Sequence, residues 1–450
     1  MTQNDYNILL DSIRNMIQEK AYPDLERLLI EPHPADLADL IEHLEGEERL
    51  SVFTLLSSDR AGEVLKEISA PVQESLTQGL DDKAIAAILN ELNSDDATDI
   101  ISHLPRERAQ KIIGLVQPEV SEELQKLLEY KTDTAGGIMA LEFVSVNAGS
   151  TIEEAIETIR KKREEVEKLY YVWVVDDFGK LVGVVSMKDL VLEPQDRKIK
   201  EIMNPDVISV DVDTDQEEAA RIVRQYDLVN IPVVNDQHKL VGRITNDDII
   251  DVIEEETNED MSLMAGVMDQ QIGEASALKI SKARLPWLLL GLFGGLLSAL
   301  VINHFHGSLE KILALSFFIP VIMAMGGNTS TQAATVVIRG LATGEISILH
   351  TGKRLLVELW VSLINGLLCG ILLGLVVAFW LSDPHLGIGV GASLIAVILF
   401  SGSFGALVPL LLRRLNIDPA LAAGPFITTS NDILGLVIYL GIITHLLMAR

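Results

Sequence analysis

One carboxylate stands apart from the rest of the chain. Between Asp418 and the terminal Arg450, Asp432 is the only formal charge in an apolar stretch that runs Pro419-Ala-Leu-Ala-Ala-Gly-Pro-Phe-Ile-Thr-Thr-Ser-Asn-Asp432-Ile-Leu-Gly-Leu-Val-Ile-Tyr439. A helix rises about 1.5 Å per residue, so an unbroken helix sets Asp432 about 21 Å beyond Asp418. That is close to the middle of a hydrocarbon core about 30 Å thick. A carboxylate at that depth costs about 2.5 to 3.5 kcal/mol and is tolerated where it faces a water-filled path or a partner. No basic residue shares the span. The chemistry these residues suit is the transient holding of a cation on its way through a membrane.

A second polar set lies in another apolar run. Met325-Gly-Gly-Asn-Thr-Ser-Thr-Gln332 places two glycines and five hydrogen-bonding side chains in mid-span, and lipid offers them no partners. Asn328 and Gln332 are therefore read as lining the same path or as bridging to Asp432. Pro320 is expected to break the ladder of this span. In the last span Pro425 cannot donate to the carbonyl of Leu421, and Gly424 loosens the same turn. The freed carbonyls are suitable acceptors for the water shell of a cation. Gly294-Gly295 reads as close helix packing, and Arg354 with Glu358 as an interfacial i, i+4 pair. For His304 and His306 two readings stand, cation recruitment or ordinary interfacial polarity.

Charge is divided unevenly over the 450 residues. The formal net charge is −29, yet from Ser276 onward ten bases outnumber six acids, leaving 59 acids against 26 bases in the first 275 residues. Such an acidic soluble part excludes nucleic acid as a partner, since phosphate binding needs basic neutralisation, and it favours cations. Cys369 is the only cysteine, so neither an intrachain disulfide nor a cysteine metal site is expected. The N-terminus lacks a basic start and apolar core, which leaves the soluble part in the cytoplasm. No Ser/His/Asp set and no His-Glu-x-x-His is found, and the chain is not read as an enzyme.

The elements that must position these residues follow in order. Residues 1–130 form an acidic helical domain: Leu37, Leu40, Ile41 and Leu44 make one helical face, and Ile85, Ile88, Leu89 and Leu92 another. Repeated short helices suggest a small α-solenoid whose hand the sequence does not give. From about residue 139 one unit occurs twice. Met139 to Val146 is echoed by Met203 to Val210, and Lys180 to Leu190 by Lys239 to Ile249, with an insertion around Lys162 to Lys168. Each copy reads strand, helix, strand, hairpin turn, strand, helix.

This order resembles a tandem pair of CBS domains, taken as 131–200 and 201–256. Both copies carry that family's glycine, hydroxyl and Asp: Gly183-Val-Val-Ser186-Met-Lys-Asp189 and Gly242-Arg-Ile-Thr245-Asn-Asp-Asp248. The resemblance implies an adenine-nucleotide site at Ser186, Asp189, Thr245 and Asp248. The other reading, helix capping by the hydroxyl, stands beside it. A connecting helix, 257–282, leads to the transmembrane domain, 283–450. Its acidic run is either a solvated face or part of a gate.

Five apolar spans are expected: Leu285 to Phe305, Ile312 to Ile338, Leu355 to Leu381, Leu386 to Leu412 and Pro419 to Met448. With the N-terminus inside, nearly all membrane-flanking bases fall on the inner side, and an odd span number puts the C-terminus outside.

An acidic helical domain, a CBS pair, a connecting helix and five spans with Gly-Gly-Asn-Thr in the second and Ser430-Asn-Asp432 in the fifth resemble the MgtE family of magnesium channels and transporters. The resemblance implies a multi-pass homodimer in the plasma (inner) membrane, with one pore between the second and fifth spans of both subunits and no required soluble protein partner. It implies Mg²⁺ at a pore formed by Asp432, Asn328, Gln332, Thr428 and Asn431. It also implies regulatory Mg²⁺ at Asp59, the Gly136 backbone, Asp215, Glu217, Asp227, Asp248, Glu255, Glu259 and Asp260, and ATP or another adenine nucleotide in the CBS pair. The implied function is Mg²⁺ entry down its gradient, closed by cytosolic Mg²⁺. The alternatives are an ion-coupled divalent-cation carrier and a membrane-tethered nucleotide sensor.

Overall fold

The computed structural model describes residues 3–163, 169–267, 277–343, 346, 351–415 and 417–448. It falls into two compact units, Met1–Glu254 and Glu255–Arg450.

The first unit opens with ten helices among the described residues, α1 (Gln3–Glu19) to α10 (Pro118–Leu127). Proline in the first turn starts four of them, at Tyr22, Pro34, Ala70 and Pro118; its missing N–H is no loss there and its fixed φ favours the helix. Both apolar faces expected from spacing point inward: Leu37, Leu40, Ile41 and Leu44 are buried, as are Ile85, Ile88 and Leu89, with Leu92 packed beside them. These short helices share one core that runs from Leu10 to Leu124, because none of them can bury its stripe alone.

Two three-stranded sheets follow. In the first, β1 (Ser145–Asn147) lies parallel to β2 (Tyr171–Val175), which pairs antiparallel with β3 (Leu181–Ser186). In the second, β4 (Val210–Asp211), β5 (Asn230–Val234) and β6 (Leu240–Thr245) repeat the order. Helix α11 (Ile152–Lys161) crosses between the first parallel pair and starts with a reciprocal Thr151–Glu154 capping box, a device that satisfies two otherwise orphaned N–H groups. Next come α12 (Met187–Leu192), α13 (Ile199–Ile202) and α14 (Gln216–Tyr226), the last crossing between the second parallel pair. The insertion expected around Lys162 to Lys168 lies, for 164–168, outside the described residues.

The two copies exchange their leading arms. Ala140 pairs with Arg243 of β6, while Asn204 pairs with Val184 of β3. Leu127, Ala135 and Met139 belong to the core of the second copy, and Met203 packs on the core of the first. A Cβ at Gly242 would lie 2.5 Å from Met139 Sδ, and one at Gly183 2.6 Å from Met203 Sδ. The glycine of each Gly-hydroxyl-Asp pattern is thus the seat for the other copy's methionine.

Helix α15 (Asn246–Met264) starts in the first unit and ends in the second. Residues 268–276 of the expected connecting helix lie outside the described residues. Among the described residues, five helices of the second unit are long and apolar enough to cross a membrane: Ile280–His304, Leu313–Ala342, Thr351–Trp380, Pro384–Arg414 and Phe426–Leu446. The first belongs to α16 (Ala277–His304), which continues through Pro286. A short α17 (His306–Lys311) and a 3-10 turn (Leu313–Phe318) lead into α18 (Ile319–Ala342). Pro320 sits in the first turn of α18 and starts that helix, which corrects the expectation that it breaks a longer one: at that position no carbonyl waits for its N–H.

Helices α19 (Thr351–Trp380) and α20 (Pro384–Arg414) touch backbone to backbone through Gly370, Gly374, Gly387 and Gly391, as small residues permit in membranes. The last span is not one helix. A single turn, α21 (Ala420–Ala423), stops at Gly424 (φ −77°, ψ −140°), and α22 (Pro425–Met448) begins after it. The 21 Å reckoned from Asp418 assumed an unbroken helix, so that depth does not hold.

Candidate cation pathway and acidic cluster

Asp432 is the eighth residue of α22, about 10 Å from its start. It is partly buried, and no hydrogen bond or ion pair engages its carboxylate among the described residues. Thr428, one turn earlier on the same face, is also partly buried. Asn328 and Gln332 share a face of α18 and are exposed on the single chain, while Gly326, Ser330, Ala333, Ala334 and Val337 fill its packed side.

Asn431 departs from the expectation that grouped it with these pore side chains. It is 2% exposed. Ser401 Oγ donates to its Oδ1 at 2.9 Å, and its Nδ2 donates to the carbonyl of Gly326 at 3.5 Å. The amide is therefore spent on ties between helices. Two further ties hold the far end of α22: Tyr439, fully buried, donates its hydroxyl to Leu315 O at 2.9 Å, and Thr444 meets Ser308 at 3.0 Å. Glu358 is buried and pairs with Arg354 at 3.0 Å.

The expected regulatory positions are dispersed. Asp59 is exposed in the first turn of its helix. Gly136 donates its N–H to Val212 O, and a Cβ there would strike Tyr130. Asp215 caps α14 by accepting from Glu217 N at 3.0 Å, and Asp227 ends that helix in the left-handed region (φ 51°). Glu255, Glu259 and Asp260 lie on the second-unit half of α15. Among the described residues no three His, Cys, Asp or Glu side chains converge as a ready metal site.

Only Asp248 of that set joins a different, denser group. Ser94, Asp95 and Asp96 open α8 (Ser94–Ser102), and Glu142 clasps them: Ser94 N and Oγ each donate to its carboxylate at 2.9 Å, and Leu141 N donates to Ser94 Oγ at 2.9 Å. Burial pushes the Asp95 carboxyl well above its usual range, with the charges of Asp248, Asp96 and Glu142 adding to the shift. Asp96 is also raised by burial, against the pull of Lys66 at 3.7 Å. Asp248 is pushed up to about 6, again chiefly by burial, although Thr245 N and Oγ1 donate to it at 2.9 and 2.6 Å. Five acids, Asp95, Asp96, Glu142, Asp247 and Asp248, thus meet where α8 faces the first turn of α15. Sequence reading missed four of them. Their one local signal is the pair of acidic doublets, Asp95-Asp96 and Asp247-Asp248.

Both hydroxyl–Asp pairs close on themselves. Ser186 Oγ donates to Asp189 Oδ2 at 2.6 Å while accepting from Asp189 N, the capping arrangement. Thr245 makes the equivalent bond to Asp248 and another to Asp247.

The last turn of α15 rests on the break in the fifth span. A Cβ at Gly424 would lie 3.0 Å from Leu263 O and 3.4 Å from Met264 O, and Met264 packs with Ala334, Ile338 and Ile427. Backbone approaches Gly424 this closely because it has no side chain.

A membrane helix with an unpaired carboxylate, joined to an acidic helical domain and a CBS pair, defines a membrane transporter of cations. Matching that, a family model described as a divalent cation transporter, MgtE, covers residues 319–442, the MgtE intracellular N domain covers 32–133, and CBS domains cover 135–196 and 199–255. The magnesium transporter MgtE of Thermus thermophilus is 38% identical over 444 residues, 97% of this chain and 98% of its own. That of Bacillus subtilis is 32% identical over 445 residues, 99% of both chains. A crystal structure of the cytosolic domain of the Mg²⁺ channel MgtE in complex with ATP is similar at TM-score 0.52 and 38% identity, covering 54% of this chain and 99% of that one. The chain belongs to the MgtE family of magnesium transporters.

Proposed function

We propose that the protein is a Mg²⁺-selective channel that admits Mg²⁺ to the cytoplasm down its electrochemical gradient and closes when cytosolic Mg²⁺ binds its acidic domains. The working unit is a homodimer, with Asp432 of each protomer facing one shared pore in the inner membrane, the N-terminal domains cytoplasmic and the C-terminus outside. Mg²⁺ sheds water reluctantly and takes near-octahedral oxygen ligands. A carboxylate ring backed by Thr428, Asn328 and Gln332 suits its hydrate better than a dry cage does, and such rings filter cations. An interior-negative potential draws a double charge inward by about 4.6 kcal/mol per 100 mV.

The observation that carries the gating half of this reading is α15. It starts beside the five acids and ends against Gly424, eight residues before Asp432. All the donors of the cluster are oxygens, the ligands hard cations prefer. Two carboxylates about 5 Å apart repel by about 3 kcal/mol at an effective dielectric near 20, whereas moving a gate from 1:99 to 99:1 takes about 5.5 kcal/mol. Several bridged pairs acting together meet that requirement, and Asp59, the Gly136 carbonyl, Asp215, Glu217, Asp227, Glu255, Glu259 and Asp260 are the further candidates. In the CBS pair an adenine nucleotide such as ATP competes with the self-closed Ser186–Asp189 and Thr245–Asp248 bonds. At the second of these it also competes with the cluster for Asp248.

Mg²⁺ uptake into liposomes carrying Asp432→Ala tests the pore. We expect a loss of about 1,000-fold, as removal of a charge interaction worth about 4 kcal/mol at 4 Å implies. Undiminished uptake would overturn the proposal.

A further inference from the structure

We infer that Asn431 is a positioning residue for Mg²⁺ passage, an amide that sets the rotation of α22 about its own axis and so the direction in which Asp432 points. The inference rests on the reading of Asp432 as the pore carboxylate. Asn431 and Asp432 are consecutive, so their side chains leave the helix about 100° apart. Asn431 faces inward at 2% exposure, and Asp432 sits at the margin of the packed surface. Fixing the first fixes the second.

The fixing is specific. Ser401 on α20 donates to Oδ1 at 2.9 Å, and Nδ2 reaches the carbonyl of Gly326 on α18 at 3.5 Å. One amide thus ties α22 to both helices that pack on it, and one of its two anchors is the glycine pair that precedes Asn328. In the low-dielectric interior of a membrane domain neither bond has water as a substitute. Around the tie the packing is close: a Cβ at Gly326 would meet Val397 Cγ1 at 3.2 Å and Ser401 Oγ at 3.3 Å. The next tie further along α22, Tyr439 to Leu315 O, is two turns beyond Asp432. The Gly326 tie also explains why a polar residue occupies a fully packed position.

The test uses the full-length protein in liposomes, with Mg²⁺ uptake measured over a range of external Mg²⁺ and normalised to folded protein by size-exclusion profile. Asn431→Leu keeps the branched outline of the side chain, with a bulkier tip, and removes both bonds. It is expected to raise the half-saturating Mg²⁺ concentration about tenfold, the scale of one or two buried hydrogen bonds. Ser401→Ala removes one bond and is expected to shift it about threefold in the same direction. Combined with Asn431→Leu it adds nothing further, as two partners in one interaction require. Asn431→Asp keeps the acceptor for Ser401 and recovers part of the shift. A purely structural role lowers the amount of folded protein and leaves half-saturation where it was. That result, or full additivity of the two substitutions, overturns the inference. Should Asn431→Leu fail to fold, Ser401→Ala alone decides by the same shift. Asp432→Asn is measured beside them: unimpaired uptake there sinks the pore reading itself, whereas lost uptake there with normal half-saturation in Asn431→Leu sinks only the positioning role.

Discussion

The two acidic places in the molecule are opposites in construction. Asp432 is single, the one charged residue of its membrane helix up to Leu446, and has no partner among the described residues. The cluster at α8 and the start of α15 is collective: burial and mutual repulsion hold Asp95, Asp96 and Asp248 above the ordinary carboxylate range. A lone carboxylate holds a hydrated cation loosely enough to release it. A crowd of carboxylates stores repulsion that a cation discharges, and so responds to concentration. One arrangement suits passage and the other suits sensing.

Three perturbations separate these roles, taken from the largest effect down. Deleting residues 1–130 removes α8 with its half of the cluster and leaves Asp432 untouched. Patch recordings should then show conduction that no longer falls as internal Mg²⁺ rises, a change of about 100-fold in relative open probability if the intact gate spans 1:99 to 99:1. Retained inhibition would break the contrast. Neutralising only Asp95 and Asp248 to Asn relieves the stored repulsion without removing a domain. The channel should close at lower Mg²⁺, with the half-inhibiting concentration down about tenfold for about 1.4 kcal/mol of repulsion removed, while half-saturation of transport stays the same. A shift in transport affinity instead would mean that the cluster and the pore are not separate sites.

Protons provide the mildest probe. Because the Asp248 carboxyl is raised from 3.8 to about 6, its protonated form is favoured in the folded contact. The stabilisation is complete below about pH 4 and is lost as pH rises through about 6, a span worth about 3 kcal/mol. In chelator, hydrogen exchange at α8 and the first turn of α15, corrected for intrinsic rate, should therefore slow on going from pH 7 to pH 5. It should show no such slowing in the Asp95→Asn, Asp248→Asn protein.

Much of this architecture was legible in the chain itself. Spacing gave the buried faces of the helical domain, repetition gave the paired sheets, and hydropathy gave five crossings, because each of these signals is local. What escaped was relational. Asp95 and Asp247 are far apart in sequence, and only folding brings their doublets to one place. Asn431 and Asp432 look alike on paper as polar residues in an apolar run; which of them turns inward depends on Ser401, thirty residues away. Pro320 reads as a breaker until the preceding turn is known to be 3-10, after which it is a beginning.

The traded arms of the CBS pair impose an order on biosynthesis. When the ribosome has finished residue 200, the nascent first sheet still lacks the Met203–Asn204 strap that seals it. The segment around Met139, already synthesised, has nothing to dock on until β6 emerges about a hundred residues later. A truncation between the two repeats therefore removes from each sheet the strap that the other copy supplies.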